Sequence, residues 1–436
     1  MKEFGDTLKK KLWGGHLWNP SYFIATVSEN TEEQIRNYIK SQKRKIESEV
    51  LIMETIEKGF KYRIYPKNNQ IEQIEVMFKA KRYVWNYFLN INKHRLNHHK
   101  SVLNYTKMSK LLTLLKRKQA WLNQCEKSVL QNTIKYQYQT FLKFFKKECG
   151  IPKFKSCKNN YQSIKMNYTN GNIGILEKDI EYTSTGKFKK QNCKIKLPKI
   201  KQVKIAYSRQ YEGRIVSCTL SRDTDNKYYI SLCCVDIEIN PLEQTGAVVG
   251  IDLGIKEFAT TSDNEIINNP KFYRKYEEKL IKSQRKLSKR KKGSNNRNKQ
   301  RLKVNKWHKK IANCRIDFLQ KLSTKLIKDY DIICMEDLNC SGMIKNHKLA
   351  KSISDASFFE FNRELEYKAR WNYKLISRID RFYPSSQICS HCGNKSSQTK
   401  DLGVRIYICE ECGLEIDRDY NASINILNEG LRILEL

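Results

Sequence analysis

The sequence predicts a multidomain α+β protein in which an interrupted β-barrel and a helical lobe precede a second α+β domain with a metal-binding ribbon. Three observations support this fold class. Alternating apolar residues indicate strands on both sides of a long block of helical periodicity. Two apolar strands in the C-terminal half each end in an acidic residue, and two cysteine pairs lie close together near the C-terminus. The chain has 436 residues, enough for two or three domains.

The first half of the chain contains the predicted barrel and helical lobe. KYRIYP (61–66) is a short alternating strand, and residues 215–235 read as two strands around a polar turn at Asp223–Asn226. Between them, residues 70–148 have apolar side chains spaced three and four apart, which is typical of amphipathic helices. We therefore expect a barrel formed by residues 46–75 and 185–243, interrupted by a helical lobe at 76–184.

The second half, residues 244–436, contains the strand patterns that end in acidic residues. Asp252 follows the apolar run VVGI, and Glu336 follows IICM. An acidic side chain at the end of a buried strand is costly unless it is paired or binds a metal. Asp419 directly precedes the helical pattern YNASINIL, so three carboxylates can converge. Such a cluster suits two divalent cations, Mg²⁺ (or Mn²⁺), which bind carboxylates together with water and phosphate oxygens.

Each acidic residue also has a simpler interpretation. Asp252 could be a turn residue, and Asp419 could be the N-cap of the last helix. Asp337 and Asp417 are neighbouring acids for which such an ordinary role is favoured over metal binding. The order of Asp252, Glu336 and Asp419 along the chain, and the sequences around them, favour the metal site.

Two CxxC pairs form a second candidate metal site. Cys389 and Cys392 are separated by 16 residues from Cys409 and Cys412, which is the spacing of a zinc ribbon. A glycine follows each pair, as a tight knuckle turn requires. His391 lies inside the first knuckle and is expected to be a bystander. A redox-active CxxC is the alternative, but two pairs at this spacing favour structural Zn²⁺ in a ribbon at 385–416.

The strong basic charge indicates a polyanionic partner. Lys and Arg number 83 against 46 Asp and Glu, a formal net charge of +37. Nucleic acid is the expected partner because each neutralised phosphate releases counterions, and an anionic membrane surface is the weaker alternative. The sequence has no apolar run long enough to span a bilayer and no apolar N-terminal signal, so we expect a cytoplasmic, nucleoid-associated protein.

The densest basic segment lies between the strands that end in Asp252 and Glu336. From Lys279 to Arg315 the chain has no acidic residue, and a GSNN sequence divides the segment. We expect a helical hairpin that contacts a phosphate backbone, although a solvated or disordered arm is the usual interpretation of such a run. Its candidate nucleic-acid-binding residues are Lys289, Arg290, Lys291, Lys292, Arg297 and Arg301. Aromatic residues of the helical lobe could stack on unpaired bases, although half or more should be core: Tyr83, Trp85, Tyr87, Tyr136 and Tyr138.

Taken together, these motifs resemble the TnpB (OrfB) family of proteins encoded by insertion sequences, over roughly residues 58–430. GIDLGIKEFATTS, ICMEDLN, PSSQICSHCGN and CEECGLEIDRDYNASINIL occur in the family's order. The resemblance implies an RNase H-like RuvC nuclease domain, with Asp252, Glu336 and Asp419 in its first, second and third motifs and a zinc ribbon before the third. It also implies cleavage of double-stranded DNA guided by an RNA from the transposon end, in a monomer bound to that RNA.

The first 45 residues resemble a different protein, the C-terminal tail of HUH tyrosine transposases that act on single-stranded DNA. Tyr38 and Gln42 fall where that enzyme has its nucleophile and a metal-ligand glutamine. Its His-x-His metal site is absent from residues 1–45. We therefore expect this extension to be catalytically inert.

Three other functions are compatible with parts of the pattern. A DNA-strand transposase that acts without guide RNA would use the same carboxylates. An RNA-guided DNA-binding repressor would need none of them, and a general RNA-binding protein would need only the charge. The intact carboxylate triad disfavours the last two, and an RNA that co-purifies with the protein would distinguish a guided nuclease from the first.

Overall fold

The computed structural model describes residues 56–435, apart from residue 160, residues 177–180, 183–187 and 191–192, residue 348, and residues 397–398 and 400–402. The transposase-like extension at 1–45 therefore lies outside the described residues. The chain divides into two compact units. We call Val50–Asn240 with Tyr273–Cys314 the N-terminal unit, and Pro241–Phe272 with Arg315–Leu436 the C-terminal unit. No helix in the described ranges is long and apolar enough to cross a membrane.

The N-terminal unit contains one antiparallel sheet with a buried face. Along the first strand the buried residues Phe60, Tyr62 and Ile64 alternate with more exposed ones. Its strands are β1 (Ile56–Tyr65), β2 (Gln162–Asn167), β3 (Gly174–Leu176), β6 (Lys194–Leu197), β7 (Lys201–Ala206), β8 (Arg214–Arg222) and β9 (Tyr228–Ile237). They lie in the order β2-β8-β9-β1-β7-β6-β3. A separate pair is formed by β4 (Glu181–Tyr182) and β5 (Phe188–Lys190).

This sheet is a half-barrel, so the predicted interrupted β-barrel is present as an open sheet. Among the described strands, β2 pairs only with β8 and β3 pairs only with β6, so the two edges do not meet. Both strands fall within 76–184, the range predicted to be a helical lobe. They are short, and β2 buries only Ile164 and Met166, so their alternation is too brief to read from sequence. The hairpin of β8 and β9 around Asp223–Asn226 is confirmed.

Three helices follow β1 in the N-terminal unit: α1 (Asn68–Asn97), α2 (Tyr105–Lys118) and α3 (Lys127–Phe145). The apolar stripe of α1 packs in the same core cluster as β1, which explains why the helical block can interrupt the sheet without a core of its own. At the start of α1 the side chain of Gln70 accepts a hydrogen bond from the backbone N–H of Lys67 at 3.0 Å. Asn104 caps α2 by accepting from the N–H of Lys107 at 2.9 Å.

The C-terminal unit contains a five-stranded mixed sheet: β10 (Val248–Leu253), β11 (Glu257–Thr261), β12 (Ile266–Asn268), β13 (Ile332–Glu336) and β14 (Leu375–Ile379). The order is β12-β11-β10-β13-β14, with β10, β13 and β14 parallel. The other elements that follow β12 along the chain are α4 (Phe272–Ser288), α5 (Asn295–Asp329), α6 (Cys340–Met343), α7 (Ala350–Ala356), α8 (Phe358–Trp371), β15 (Ile406–Ile408), β16 (Glu415–Asp417) and α9 (Arg418–Ile433). Helices α4 and α5 form the predicted hairpin, and Tyr273–Cys314 of it belongs to the N-terminal unit.

The two faces of this second sheet bury different residues. Val249, Ile251, Ile333 and Met335 pack in a core cluster with side chains of α5 and α8. The alternate residues, Ile332 and Cys334 among them, pack in a cluster with Ile426 and Leu431 of α9. Because side chains alternate along a strand, the residues that follow at the ends of β10 and β13 lie on the α9 face.

Helix α9 lies directly on β10 and β13 because glycine occupies the contact points. A Cβ on Gly250 would overlap the carbonyl oxygen of Ser423 and lie 2.8 Å from the Cβ of Leu427. A Cβ on Gly430 would overlap the Cys334 side chain. These glycines set the distance between the sheet and the helix whose first turn contains Asp419.

Gly250→Ala should therefore destabilise the protein by about 1–3 kcal/mol, because the added methyl group must push α9 away from the sheet. Chemical denaturation of the purified variant measures this change. Gly174→Ala is the matched control, since nothing lies within 4 Å of a Cβ built there. Equal stability of the two variants would contradict the close approach of α9.

Candidate active site

Two of the predicted carboxylates lie side by side at the ends of parallel strands. Ile251 of β10 is in register with Met335 of β13, so Asp252 and Glu336 form the next pair. Strand alternation places both side chains on the face covered by α9. Glu336 is held there by the Ser385 hydroxyl, which donates a hydrogen bond to its Oε1 at 2.8 Å.

The third carboxylate, Asp419, lies in the first turn of α9. The N-cap of this helix is Asp417, whose Oδ1 accepts from the backbone N–H groups of Asp419 and Tyr420 at 2.9 and 3.0 Å. The N-cap interpretation of Asp419 is therefore wrong, because Asp417 occupies that position. Asp419 Oδ2 lies 3.4 Å from the Arg405 guanidinium.

The remaining neighbouring acid, Asp337, lies apart from this arrangement. It forms an ion pair with Arg381, and about half of its side chain is exposed. Asp337 is thus a surface ion-pair partner, as its simpler interpretation predicts. It provides a natural control for Glu336, the adjacent residue.

The grouping of carboxylates changes their proton affinity. Burial, followed by the negative charges of Glu336 and Asp419, raises the pKa of Asp252 to about 8, against the opposing charge of Arg418. Burial also raises the pKa of Glu336, while the hydrogen bond from Ser385 lowers it. Accumulated negative charge of this kind is unfavourable, and a divalent cation would relieve it.

The carboxylates are spread rather than tightly clustered. Among the described residues, the four ribbon cysteines are the only group of three or more potential ligands whose atoms all lie within 4.8 Å of one another. Glu336 is instead bonded to Ser385, and Asp419 faces Arg405. Ser385 and Arg405 thus stabilise two carboxylates that lie apart from one another. The oxygen donors and their mutual repulsion fit hard divalent cations such as Mg²⁺.

Asp252→Asn should stabilise the metal-free protein, by an amount that grows with pH. Folding favours the protonated form of Asp252, because the pKa of this carboxyl is raised to about 8 in the folded protein. Between pH 4 and pH 8 the folded protein holds a proton on Asp252 that the unfolded chain has released. The contribution of this group to stability is therefore greatest at low pH and falls as pH rises from about 4 toward 8. Thermal denaturation in chelator should show little difference at pH 4 and a gain of about 3–5 kcal/mol at pH 8. A variant less stable than wild type at pH 8 would contradict this electrostatic account.

The four predicted zinc ligands converge on one point. The Sγ atoms of Cys389 and Cys412 are 3.6 Å apart, and those of Cys392 and Cys409 are 3.5 Å apart. Tetrahedral Zn²⁺ with Zn–S bonds of about 2.3 Å places its sulfurs about 3.8 Å apart. The backbone N–H of Cys412 is the main group that lowers the pKa of Cys409 to about 6, which favours a thiolate. The residues present therefore fit Zn²⁺, and His391 is not in the group.

Two buried asparagines connect this ribbon to α9. Asn421 donates to the carbonyl oxygen of Ile388 at 2.7 Å. Asn425 donates to the carbonyl oxygens of Ser385 and Ile388 at 2.8 and 2.6 Å. Because Ser385 also holds Glu336, the ribbon, the helix and this one carboxylate share one hydrogen-bond network. Ser385 and both asparagines were not among the predicted residues, although the spacing of four between Asn421 and Asn425 on the last helix was a signal.

The basic hairpin contains the six predicted nucleic-acid-binding residues in two different settings. Lys289, Arg290, Lys291 and Lys292 are exposed at its turn. Arg297 is half-buried and donates to the carbonyl oxygens of Leu287 and Arg290 at 2.7 and 2.8 Å, so it closes the turn. Arg301 is also half-buried.

A lysine-lined groove between α4 and α5 was not among the predicted residues. Trp307 lies in it, with the Nζ of Lys279 5.7 Å from the centre of its ring. The spacing of three and four along each helix puts the lysines on facing sides and was the available signal. They are Lys279, Lys282, Lys286, Lys303, Lys306 and Lys310.

The comparisons with known proteins agree with this architecture. A protein of Streptomyces pristinaespiralis named "Putative RNA-guided DNA endonuclease" is 36% identical over 385 residues, covering 87% of this chain and 91% of that protein. This chain belongs to the OrfB (TnpB) family. The OrfB family profile, described as "Probable transposase", matches residues 231–347, and a "Cas12f1-like, TNB domain" profile matches residues 358–426. A "Helix-turn-helix domain" profile matches residues 53–101, which contain β1 and α1 here.

The structure of this OrfB protein is similar to the protein in a cryo-EM structure of a Cas12f1–sgRNA–target DNA complex. The TM-score is 0.52 at 14% identity, over 86% of this chain and 99% of that one, which supports the mixed α+β fold. The N-terminal extension has a separate relative. A "Transposase IS200 like" profile matches residues 1–42, and the ISDra2 transposase TnpA of Deinococcus radiodurans is 74% identical over 35 residues, 8% of this chain and 25% of that protein.

Proposed function

We propose that this chain is an RNA-guided endonuclease that cleaves double-stranded DNA by metal-dependent hydrolysis of phosphodiester bonds. The observation that supports it is the pairing of Asp252 with Glu336 on one sheet face, with the charge of Asp419 close enough to raise the pKa of Asp252. Three carboxylates beside a nucleic-acid ligand repel its phosphates unless metal ions lie between them. A protein that only binds nucleic acid has no use for such a group.

Asp252, Glu336 and Asp419 are assigned as the catalytic metal ligands of an RNase H-like (RuvC) domain formed by residues 244–436. Mg²⁺ or Mn²⁺, when bound, supplies activation of the attacking water and neutralisation of the leaving oxygen. Ser385 orients Glu336 through its hydroxyl. Arg405 faces Asp419 and balances part of the negative charge before substrate arrives.

The ribbon at 385–416 is assigned a structural role. Cys389, Cys392, Cys409 and Cys412 would hold one Zn²⁺ in a closed site with no position for a reacting water. Asn421 and Asn425 attach the ribbon to α9, so its folding positions that helix. The ion thus contributes to the geometry of the carboxylates and takes no part in hydrolysis.

The guide RNA, derived from the transposon end, and the target DNA are assigned to the basic surfaces. They would be bound in a monomeric complex with RNA. The binding regions would be the barrel domain predicted at 46–75 and 185–243 and the lobe predicted at 76–184. The exposed lysines and arginine at the hairpin turn, Lys289 to Lys292, would contact a phosphate backbone. A net charge of +37 favours such binding at low salt.

The test is purification of the protein from cells that contain its transposon end, followed by sequencing of the bound RNA. We expect an RNA from that end, and cleavage of a matched plasmid when its guide segment is replaced by a chosen sequence. Equal cleavage with and without RNA would instead support a DNA-strand transposase. Guided binding without cleavage would support a repressor.

A truncation that begins at Glu47 should keep guided cleavage within about twofold of wild type, because the extension lacks the His pair that its relatives need and is too short for its own core. Plasmid cleavage by the two proteins measures this. Tyr38→Phe is the matched point variant and should also be neutral. Loss of all activity on truncation, or a covalent Tyr38–DNA adduct, would show that the extension is a working part.

A further inference from the structure

The N-terminal unit contains a cavity of about 480 Å³ that none of the assigned roles uses. Helices α1 and α3, strands β2 and β8 and the segment before β2 form its walls. Its volume lies within the range of about 300–1,000 Å³ that is usual for small-ligand sites. The residues that matter for its chemistry are Lys81, Trp85, Lys135, Tyr136, Lys155 and Lys165.

The cavity is cationic without any balancing acid. Four lysines line it, and none of its described lining residues is acidic. Lys81 is fixed by donating from Nζ to the carbonyl oxygen of Ser163 at 2.6 Å. Burial, followed by the charge of Lys81, lowers the pKa of Lys155 to about 8. An anion between Lys81 and Lys155 would relieve this repulsion between their ammonium groups.

One wall of the cavity is aromatic. The Nζ of Lys155 lies 3.8 Å from the centre of the Trp85 ring, so a cation–π contact fixes that ammonium. The ring centres of Trp85 and Tyr136 are 6.1 Å apart. Trp85 is buried, but Tyr136 is 60% exposed, which leaves its ring free to stack on a flat ligand. An exposed aromatic ring beside fixed ammonium groups is suited to a base and its phosphate.

We propose that this cavity binds one unpaired nucleotide of the nucleic-acid partner, with a phosphate between Lys81 and Lys155 and the base stacked on Tyr136. A base within a duplex is stacked on its neighbours and cannot reach a cavity of this size, so the nucleotide must lie in a single-stranded segment or be turned out of a helix. The inference rests on the proposed function only in taking nucleic acid as the partner.

The experiment measures binding of fluorescein-labelled oligouridylate RNA and oligothymidylate DNA, each about 12 nucleotides long, to the full chain freed of nucleic acid. Tyr136→Leu is compared with Phe145→Leu, an exposed aromatic on the same helix outside the cavity. Lys155→Gln is compared with Lys158→Gln, an exposed lysine three residues away with the same charge change. Lys135→Gln, at an exposed position of the cavity rim, replaces Lys155→Gln if that variant does not fold.

We expect Tyr136→Leu and Lys155→Gln to weaken binding about fivefold or more, and each control less than about twofold. Lys155→Gln should also reduce the salt dependence by about one ion, whereas Tyr136→Leu should leave it unchanged. The probe whose affinity falls in the cavity variants, RNA or DNA, identifies the nucleic acid that supplies the nucleotide. Cavity and control variants that bind both probes equally would overturn the inference.

The same preparations, loaded with guide RNA, separate this inference from the proposed function. Guided cleavage by wild type with no difference among the binding variants would reject the nucleotide cavity alone. A clear loss of binding in Tyr136→Leu, with no guided cleavage by wild type, would support the cavity and reject the proposed nuclease.

Discussion

Asp252→Ala, Glu336→Ala and Asp419→Ala should each reduce target cleavage by at least about a thousandfold while leaving RNA and DNA binding nearly unchanged. Metal ligands act as a unit, so the double and triple variants should lose little more than the single ones. Binding should survive because the proposed RNA and DNA contacts lie on the basic surfaces. Neither the carboxylates nor their partners Ser385 and Arg405 take part in those contacts. A plasmid cleavage assay with guide RNA, alongside a target-binding assay, measures both quantities.

Asp337→Ala is the matched control for this experiment. Asp337 is adjacent to Glu336, but its carboxylate is half exposed and paired with Arg381. Its removal should therefore leave cleavage within about threefold, since an exposed ion pair contributes little. Cleavage by the triple variant, or full activity in excess chelator, would reject the assignment of the site.

Removal of zinc should have the second largest effect, because it acts on both folding and cleavage. We expect one Zn²⁺ per chain, and its loss in Cys389→Ser or Cys409→Ser together with a fall in melting temperature of about 5 °C or more. Cleavage should also fall, since Asn425 and Ser385 connect the ribbon to Glu336. Elemental analysis, thermal denaturation and the cleavage assay measure the three outcomes.

Cys340→Ser is the control for thiol loss in the C-terminal unit, because Cys340 is half-buried and lies outside the four-cysteine group. It should retain zinc and activity. A protein without zinc, or a Cys389→Ser/Cys409→Ser double variant with unchanged melting and cleavage, would contradict the structural role of the ribbon.

Local pattern was sufficient for much of the fold and failed where elements were short. The strands that end in Asp252 and Glu336, the hairpin of β8 and β9, and the helical hairpin were all readable, since each has a clear apolar period or a marked turn. Strands β2 and β3 were not, because six and three residues give too little alternation to indicate a strand. The open edges of the half-barrel also escaped prediction, because closure depends on pairing between strands distant in sequence.

The sequence by itself determined which residues are candidates: three acids at element ends, four cysteines at ribbon spacing, and an excess of positive charge suited to nucleic acid. Only the tertiary structure decided what each acid does. Asp417 caps α9, Asp337 pairs with Arg381, and Asp252 meets the charges of Glu336 and Asp419. The physical reason is that capping and ion pairing depend on which groups come within a few ångströms after packing. Strand register and the close approach of α9 at Gly250 set those distances, and neither is encoded by any one segment.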